Sequence, residues 1–358
     1  MEKRKIVVAM SGGVDSSLAA ALLVEEGHEV IGATMKTFCY SENSGPSRTC
    51  CGLDGIMDAR LVCDRLGIPH YVFDMEEDFT ASVIDDFVSE YAAGRTPNPC
   101  VRCNSNTKIP ALLERARALG ADGIATGHFA RIERDESGRT KILRAFDDEK
   151  DQTYFLWAIP REVVPYLVFP VGELRKPEIR AGARARELAN AEKPESQEIC
   201  FVPNDDYTSF LAGRLGPDHP SLNPGRIVDR AGTAIGEHGG YGRYTIGQRR
   251  GLGGGSPIPL YVIGIRPEVN EVVVGSREEL MRTDIVLGDL NWIGDAPAEG
   301  ERVAIQIRYR APAVPAVIEE VDEDRVELTL EEPQRAITPG QSGVIYRGEE
   351  LIGGGRIR

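Results

Sequence analysis

The heptapeptide Ser11-Gly12-Gly13-Val14-Asp15-Ser16-Ser17 constrains this chain more than any other segment. It follows the apolar run Ile6-Val7-Val8-Ala9-Met10, which reads as a buried strand, and opens into an alanine-rich stretch, 18–24, which reads as a helix. A glycine and serine turn between a strand and a helix N-terminus aims several backbone N–H groups at one point. Backed by the positive end of the helix dipole, those groups bind phosphate oxygens. The chain has no Gly-Lys dipeptide, so the G-x-x-x-x-G-K-[ST] phosphate loop is excluded. A glycine pair, an acid and a serine pair in this frame favour a ligand over a bare strand–helix turn.

At 358 residues the chain exceeds one ordinary core and predicts two or three domains. Charged residues make up 27% and the hydrophobic set 41%, the profile of a soluble globular protein. No apolar run approaches the roughly 20 residues that span a bilayer. Residues 1–5 lead directly into the first strand without room for a signal peptide, so the expectation is a cytoplasmic protein with no membrane partner. Seven cysteines, an odd number, favour reactive or metal-bound thiols over a disulfide framework. The net charge of −14, from 42 basic and 56 acidic residues, argues against non-specific coating of nucleic acid. It leaves room for local basic faces, such as Arg175-Lys176 and Arg249-Arg250, which fit RNA contact or a solvated surface.

The first two hundred residues alternate strand and helix patterns: strands at 28–35 and 70–74, a short strand at 123–128, and helices at 54–66, 79–91 and 109–119. This predicts an α/β fold with a doubly wound parallel sheet and ligands at the carboxyl ends of its strands, where Ser11, Met35 and Gly127 fall. Pro203, Gly213, Gly216, Pro217, Pro220, Pro224 and Gly225 mark a loop-rich transition. Short strands follow at 226–228, 244–246, 261–263 and 271–274. From about residue 281 longer strands, such as 302–309 and 325–330, predict a small β-barrel. The expected domains are 1–205, 206–280 and 281–358.

The second informative segment is Thr96-Pro97-Asn98-Pro99-Cys100-Val101-Arg102-Cys103-Asn104. Its two prolines predict a rigid exposed loop, and a thiol there beside Arg102 is a candidate for a lowered pKa. One CxxC without a second pair does not make a closed zinc site. A third segment, Ser196-Gln197-Glu198-Ile199-Cys200-Phe201, carries a lone cysteine behind a polar tetrad. Cys63 lies on an apolar helix face and reads as core, Cys50 and Cys51 as a helix start, and Cys39 as a loop residue.

The loop at 11–17 resembles that of the PP-loop ATP pyrophosphatases, which cleave ATP between the α- and β-phosphates to activate an acceptor as an adenylate. Nearly the whole chain resembles the bacterial tRNA-specific 2-thiouridylases. The matching segments are SGGVDSS at 11–17, TPNP and CVRCN at 96–104, ATGH at 125–128, KDQTYFL at 150–156, SQEICF at 196–201, YTIGQRRGL at 244–252 and PGQ at 339–341. The resemblance implies a PP-loop domain, a small β-rich central domain and a C-terminal β-barrel. It implies an enzyme that replaces the 2-oxygen of the wobble uridine of tRNA by sulfur. ATP is expected at Ala9, Met10, Ser11, Gly12, Gly13, Val14, Asp15, Ser16, Met35 and Gly127, with Mg²⁺ and pyrophosphate served by Asp15. Cys103 matches the nucleophile and Cys200 the persulfide carrier, with a transient disulfide between them. Asn98, Pro99 and Cys100 match the target-base contact, and His128, Lys150, Asp151, Gln152, Arg308, Tyr309 and Gln341 the tRNA contact. An upstream sulfur donor, a cysteine desulfurase or a sulfur-relay protein, is the implied partner.

The chemistry calls for these parts. The uridine C2 carbonyl is a poor electrophile until its oxygen becomes a leaving group, and C2 is reached only when the base leaves the anticodon stack. Sulfur then enters as persulfide or hydrosulfide, and a second thiolate frees it from its carrier. A Cys103–Cys200 disulfide requires Cα atoms roughly 4.4–6.8 Å apart. This chain departs from many members in carrying Cys100 where they have an aspartate. Three thiols, Cys100, Cys103 and Cys200, would suffice to ligate a [4Fe–4S] cluster with one open iron, so relay and cluster delivery both stand at this level. A PP-loop ligase acting on a small metabolite, and a non-catalytic RNA-binding or iron–sulfur module, are the competing classes.

Overall fold

The computed structural model describes residues 2–38, 53–194, 199–252 and 258–358, apart from the side chain of Pro203. Cys39, Cys50, Cys51 and the tetrad residues Ser196 to Glu198 lie outside them. The chain opens with β1 (Lys5–Ala9), α1 (Val14–Glu25), β2 (Glu29–Lys36), α2 (Leu53–Leu66) and β3 (His70–Asp74). A broken helix follows, α3 (Glu76–Phe79) and α4 (Asp85–Ala92) joined by a π-helical turn at Thr80–Ile84. A second broken helix joins α5 (Pro99–Arg102) to α6 (Ile109–Ala118) through a π turn at Cys103–Lys108. Then come β4 (Gly123–Ala125), the hairpin β5 (Arg131–Arg134) and β6 (Thr140–Leu143), β7 (Leu167–Val168) and α7 (Lys176–Ala185).

Strands β3-β2-β1-β4-β7 form a wholly parallel sheet in that order, with β1 in the middle and buried from Ile6 onward. Helix α1 is buried on nearly all sides, and its alanines let it approach both the sheet and α7 closely. Cys63 on α2 is fully buried beneath Gly32, and burial pushes its thiol up to about 12, the behaviour of a core residue.

The segment at 96–104, expected as a loop, is helical from Pro99. Proline lacks only an N–H that the first helical position does not use, and the Asn98 side chain caps the turn by accepting from the Cys100 N–H at 3.2 Å. The hairpin β5–β6, unsignalled in the sequence, leaves the parallel sheet and pairs with the far end of the chain.

The transition beyond residue 205, expected as loop, holds α8 (Tyr207–Leu215), capped by Asp206 onto the Ser209 N–H at 3.0 Å. Strands β8 (Gly225–Val228), β9 (Ala234–His238), β10 (Tyr261–Arg266) and β11 (Glu271–Gly275) form a sheet in the order β10-β11-β8-β9. Tyr244-Thr245-Ile246, expected as a strand, instead enters a turn at Gly247 (φ +86°) that hydrogen-bonds to Val262. The final six strands are β12 (Met281–Trp292), β13 (Arg302–Gln306), β14 (Val314–Val321), β15 (Val326–Arg335), β16 (Ser342–Arg347) and β17 (Glu350–Ile357). They close a barrel in the order β12-β15-β14-β13-β16-β17 and back to β12, and β6–β5 extend it from β17. Strand β13 stops short of the expected 309 because the Gln306 amide donates to the carbonyls of Arg308 (3.2 Å) and Tyr309 (2.7 Å), curling the chain outward. Among the described residues no helix is long and apolar enough to cross a membrane.

Gly127 shows how tightly the sheet edge seats the first helix. A Cβ there would lie 2.5 Å from the Ser16 nitrogen and 2.7 Å from the Asp15 carbonyl carbon, both backbone. Gly127→Ala is expected to destabilise the fold by about 1–3 kcal/mol through overpacking and to weaken nucleotide binding. Denaturant midpoints and an ATP titration check both effects.

Candidate active site

The 11–17 turn is formed by its own side chains. The Ser11 N–H donates to Ser16 Oγ and the Gly13 N–H to Ser11 Oγ, each at 3.3 Å. The hydroxyls of Ser16 and Ser17 both donate to the Gly13 carbonyl at 3.0 Å. Asn190, from beyond α7, donates to the Gly12 carbonyl (3.0 Å) and to Ser17 Oγ (2.8 Å). Its own buried Oδ1 has no hydrogen-bond partner among the described residues. Ala9 and Met10 lead into this turn, Met35 lies next to the end of β2 and Gly127, just past β4, packs against Asp15 and Ser16, so the expected nucleotide residues gather at one edge of the sheet.

Lys176 is the main residue that sequence reasoning misjudged. Read as part of a basic surface patch, it is only 8% exposed, and its Nζ lies 2.7 and 2.9 Å from the two Asp15 carboxylate oxygens. It opens α7, where its backbone N–H is satisfied by Asp147 at 2.9 Å. Pro177 signalled that helix start, but nothing local signalled a contact 161 positions away. The result is a cation held at the phosphate turn. Arg249 and Arg250 are exposed on the central domain, as a surface patch requires.

Cys103 opens the π turn, a distortion that recurs at functional sites, and Cys200 precedes α8. Both are half-buried against one aromatic cluster that includes Phe38, Phe79, Phe87, Tyr91 and Phe201. Phe201, next to Cys200, meets Phe79 at 5.7 Å and Phe87 at 5.2 Å, edge-on in each case. Cys100 is exposed on α5. Among the described residues no three His, Cys, Asp or Glu side chains are gathered to hold a metal ion, and Cys100 lies outside the aromatic cluster that Cys103 and Cys200 share. Arg102, expected beside a thiolate, is matched by carboxylates instead, with Asp289 at 3.1 Å and Asp86 at 3.5 Å.

The expected RNA-facing residues divide into two groups. Asp151 accepts from Arg144 (2.8 Å), the Thr153 N–H (3.1 Å) and the Thr153 hydroxyl (2.9 Å), which consumes its carboxylate. Gln152 Oε1 accepts from the Phe129 N–H at 3.0 Å, fixing the loop that holds His128. Gln341 donates to the carbonyls of Thr96 (2.8 Å) and Pro97 (3.3 Å), so it grips the Asn98-Pro99-Cys100 turn rather than presenting its amide to a base. Lys150, Arg308 and Tyr309 remain partly exposed. Arg308 donates to the Arg335 carbonyl at 3.0 Å, and Tyr309 packs on Phe155 at 4.3 Å. His128 is hydrogen-bonded through Nδ1 to Thr126 Oγ1 at 2.8 Å. Burial, then the nearby Lys108 charge, pushes its pKa down to about 3, so the imidazole is neutral at ordinary pH.

A parallel sheet with a phosphate turn at its carboxyl edge, and two β-domains behind it, defines a PP-loop nucleotide-binding enzyme with appended barrels. The sequence profile of the tRNA methyl transferase HUP domain matches residues 4–204, that of the tRNA methyl transferase PRC-barrel domain 209–276, and that of the aminomethyltransferase beta-barrel domain 282–357. The chain is 50% identical over 359 residues to the tRNA-specific 2-thiouridylase MnmA of Geobacter metallireducens, covering 99% of this chain and 97% of that one. It is 49% identical to the protein of that name from Carboxydothermus hydrogenoformans, covering 99% and 98%. The chain belongs to the tRNA-specific 2-thiouridylase family.

The buried His128 gives this site a pH signature. The unfolded chain takes up a proton near the ordinary value of 6.5, whereas the native imidazole resists it down to about 3. Its contribution to stability is therefore complete above about pH 6.5 and is lost as the pH falls toward 3. Stability measured across this window is expected to fall less steeply in His128→Gln than in the wild type.

Proposed function

We propose that this protein catalyses the ATP-dependent 2-thiolation of the wobble uridine (position 34) of tRNA, yielding 2-thiouridine, AMP and pyrophosphate. What carries the reading is that a formed phosphate turn and two thiols on one aromatic wall occur in a chain about half identical to 2-thiouridylases over its full length.

Backbone N–H groups of the 11–17 turn other than those of Ser11, Gly13 and Ser17, which donate within it, bind the β- and γ-phosphates at the positive end of α1. Asp15, together with phosphate oxygens, is the sparse carboxylate set that Mg²⁺ takes at nucleotide sites. Held by Asp15, Mg²⁺ would supply positive charge to the departing pyrophosphate, and Lys176, 2.7 Å from Asp15, adds a second positive charge at the turn. The flipped uridine lies against Asn98, Pro99 and Cys100, and its O2 attacks the α-phosphorus, expelling pyrophosphate. The terminal sulfur of a Cys200 persulfide adds to C2, and AMP leaves with the former O2. The Cys103 thiolate then attacks the Cys200 sulfur, breaking the S–S bond to leave the thiocarbonyl on the base and forming a Cys103–Cys200 disulfide. An external dithiol reduces that disulfide. A cysteine desulfurase or sulfur-relay protein recharges Cys200, and a tRNA substrate puts the reaction in the cytoplasm. What favours the relay over cluster delivery is that two thiols, not three, share the aromatic wall. The tRNA is contacted by Lys150, Arg308 and Tyr309 directly, and by His128 as a neutral hydrogen-bonding group. Asp151, Gln152 and Gln341 contribute through the loops they hold.

Incubation of a tRNA transcript with ATP and a persulfide donor, read by nucleoside mass spectrometry, is expected to give 2-thiouridine. Asp15→Ala should abolish tRNA-dependent AMP formation while keeping the fold, and normal AMP release in that variant would remove the phosphate-turn assignment. Cys100→Ser should keep thiolation within about tenfold of wild type, roughly 1.4 kcal/mol in barrier. Complete loss of thiolation in a folded Cys100→Ser protein would sink the two-thiol relay.

A further inference from the structure

Behind the thiols lies a cluster of three guanidinium groups and three carboxylates that joins the first domain to the barrel. Arg356, on β17 and 16% exposed, donates from Nη2 to both oxygens of Asp86 (2.7 and 3.0 Å). Its Nη1 lies 2.8 Å from Glu90 and its Nε 3.6 Å from Asp289. Arg102, which ends α5 between Cys100 and Cys103, closes the circuit onto Asp86 and Asp289, and Arg95 donates to Glu90 at 2.8 Å. The charges balance, and the 5%-exposed Glu90 side chain meets guanidinium groups from both Arg356 and Arg95.

Two observations show that this contact is built. Asp289 has φ +49°, a left-handed conformation unfavourable for a non-glycine residue, and it lies where the β12–β17 register shifts between Gly288 and Asn291. A bulge re-aims a side chain, and this one sends its carboxylate out of the barrel toward Arg102. On the other side of Cys100, the Thr96 N–H donates to the Pro339 carbonyl at 2.9 Å, Gln341 grips Thr96 and Pro97, and Gly340 (φ +92°) leaves no room for a Cβ against Thr96. The space left between Asn98, Val101, Arg102, Trp157, Ser342 and Arg356 is about 10 Å³, room for no more than one water. The barrel therefore holds the thiol-bearing turn both before and after Cys100.

Helix α4 connects this clamp to the second thiol. Asp86 and Glu90 meet Arg356, whereas Phe87 and Tyr91 of the same helix belong to the wall that carries Cys103 and Cys200. We propose that the C-terminal barrel is a positioning element of the sulfur-transfer site, with Arg356 and Asp289 setting, through Arg102 and α4, how Cys103 is presented to Cys200. This rests on the relay described above.

The test uses three full-length variants, Asp289→Gly, Arg356→Gln and Arg356→Lys. Glycine suits the left-handed backbone at 289, so Asp289→Gly removes the carboxylate without burdening the fold. Diamide oxidation, followed by peptide mass spectrometry, reads the rate of Cys103–Cys200 disulfide formation without tRNA or ATP. Asp289→Gly and Arg356→Gln are expected to slow that rate and the kcat of thiolation by about tenfold or more. The KM for ATP, the Kd for tRNA and the rate of tRNA-dependent pyrophosphate release should stay within about twofold of wild type. Arg356→Lys, which keeps the charge but not the fork, should fall between. Wild-type disulfide rates in the folded Gly and Gln variants would overturn the proposal, as would a loss shared equally by pyrophosphate release. Absence of thiolation in the wild type would instead overturn the functional reading, leaving the disulfide rates to judge the brace.

Discussion

The seat of the α1 N-terminus on the carboxyl edge of the parallel sheet is the constraint around which the remaining site is arranged. Three close approaches define it: Gly127 beneath Ser16, Gly12 against Gly55 of α2, and Asn190 holding the Gly12 carbonyl. Each works because a side chain is absent or a buried amide is already committed, so the turn stands formed before a ligand arrives. That preorganisation matters for phosphate binding, since N–H groups already aimed at one point lose little freedom on meeting an anion. The ion pair between Asp15 and Lys176 belongs to the same arrangement. It keeps a carboxylate tolerable at an anion site and keeps a cation in reserve there.

The acidic chain handles its local cations by pairing. Arg102 and Arg356 face carboxylates across a domain boundary, Arg95 faces Glu90 within the first domain, and Arg144 faces Asp151 while lying over the Tyr346 ring at 3.7 Å. These guanidiniums are structural fasteners, and guanidinium suits the task because its planar fork satisfies two acceptors at once. The chain thus joins its ends, residues 86–102 with residues 289–356, through charged contacts. The β5–β6 hairpin adds a covalently continuous splint between the same two domains.

Much of this molecule was legible from local pattern. The strand–turn–helix at 6–24, the alternation that built the parallel sheet, the short strands at 226–228, 261–263 and 271–274 and the closed barrel all follow from periodicity and turn residues, which act over a few positions. The grouping of Ser11, Met35 and Gly127 followed from the rule that parallel strands end together at one edge. Where local rules failed, they failed for nameable reasons. Pro99 breaks a helix interior but begins a helix well, and the sequence does not say which position it holds. Gly213 lies within α8, because a single glycine is outweighed by a cap at Asp206 and packing on the aromatic cluster.

What the sequence determined by itself was the chemistry present: a phosphate turn, an acid within it and three cysteines in two proline- or polarity-marked segments. Only tertiary structure decided what each group faces. Lys176 meets Asp15, Arg102 turns from the thiols to Asp289, Gln341 grips a loop 245 positions away, and Cys103 and Cys200 share a wall while Cys100 stays outside it. These outcomes depend on contacts across domains, where the partner of a charge is set by which surfaces pack. No window of neighbouring residues contains that information.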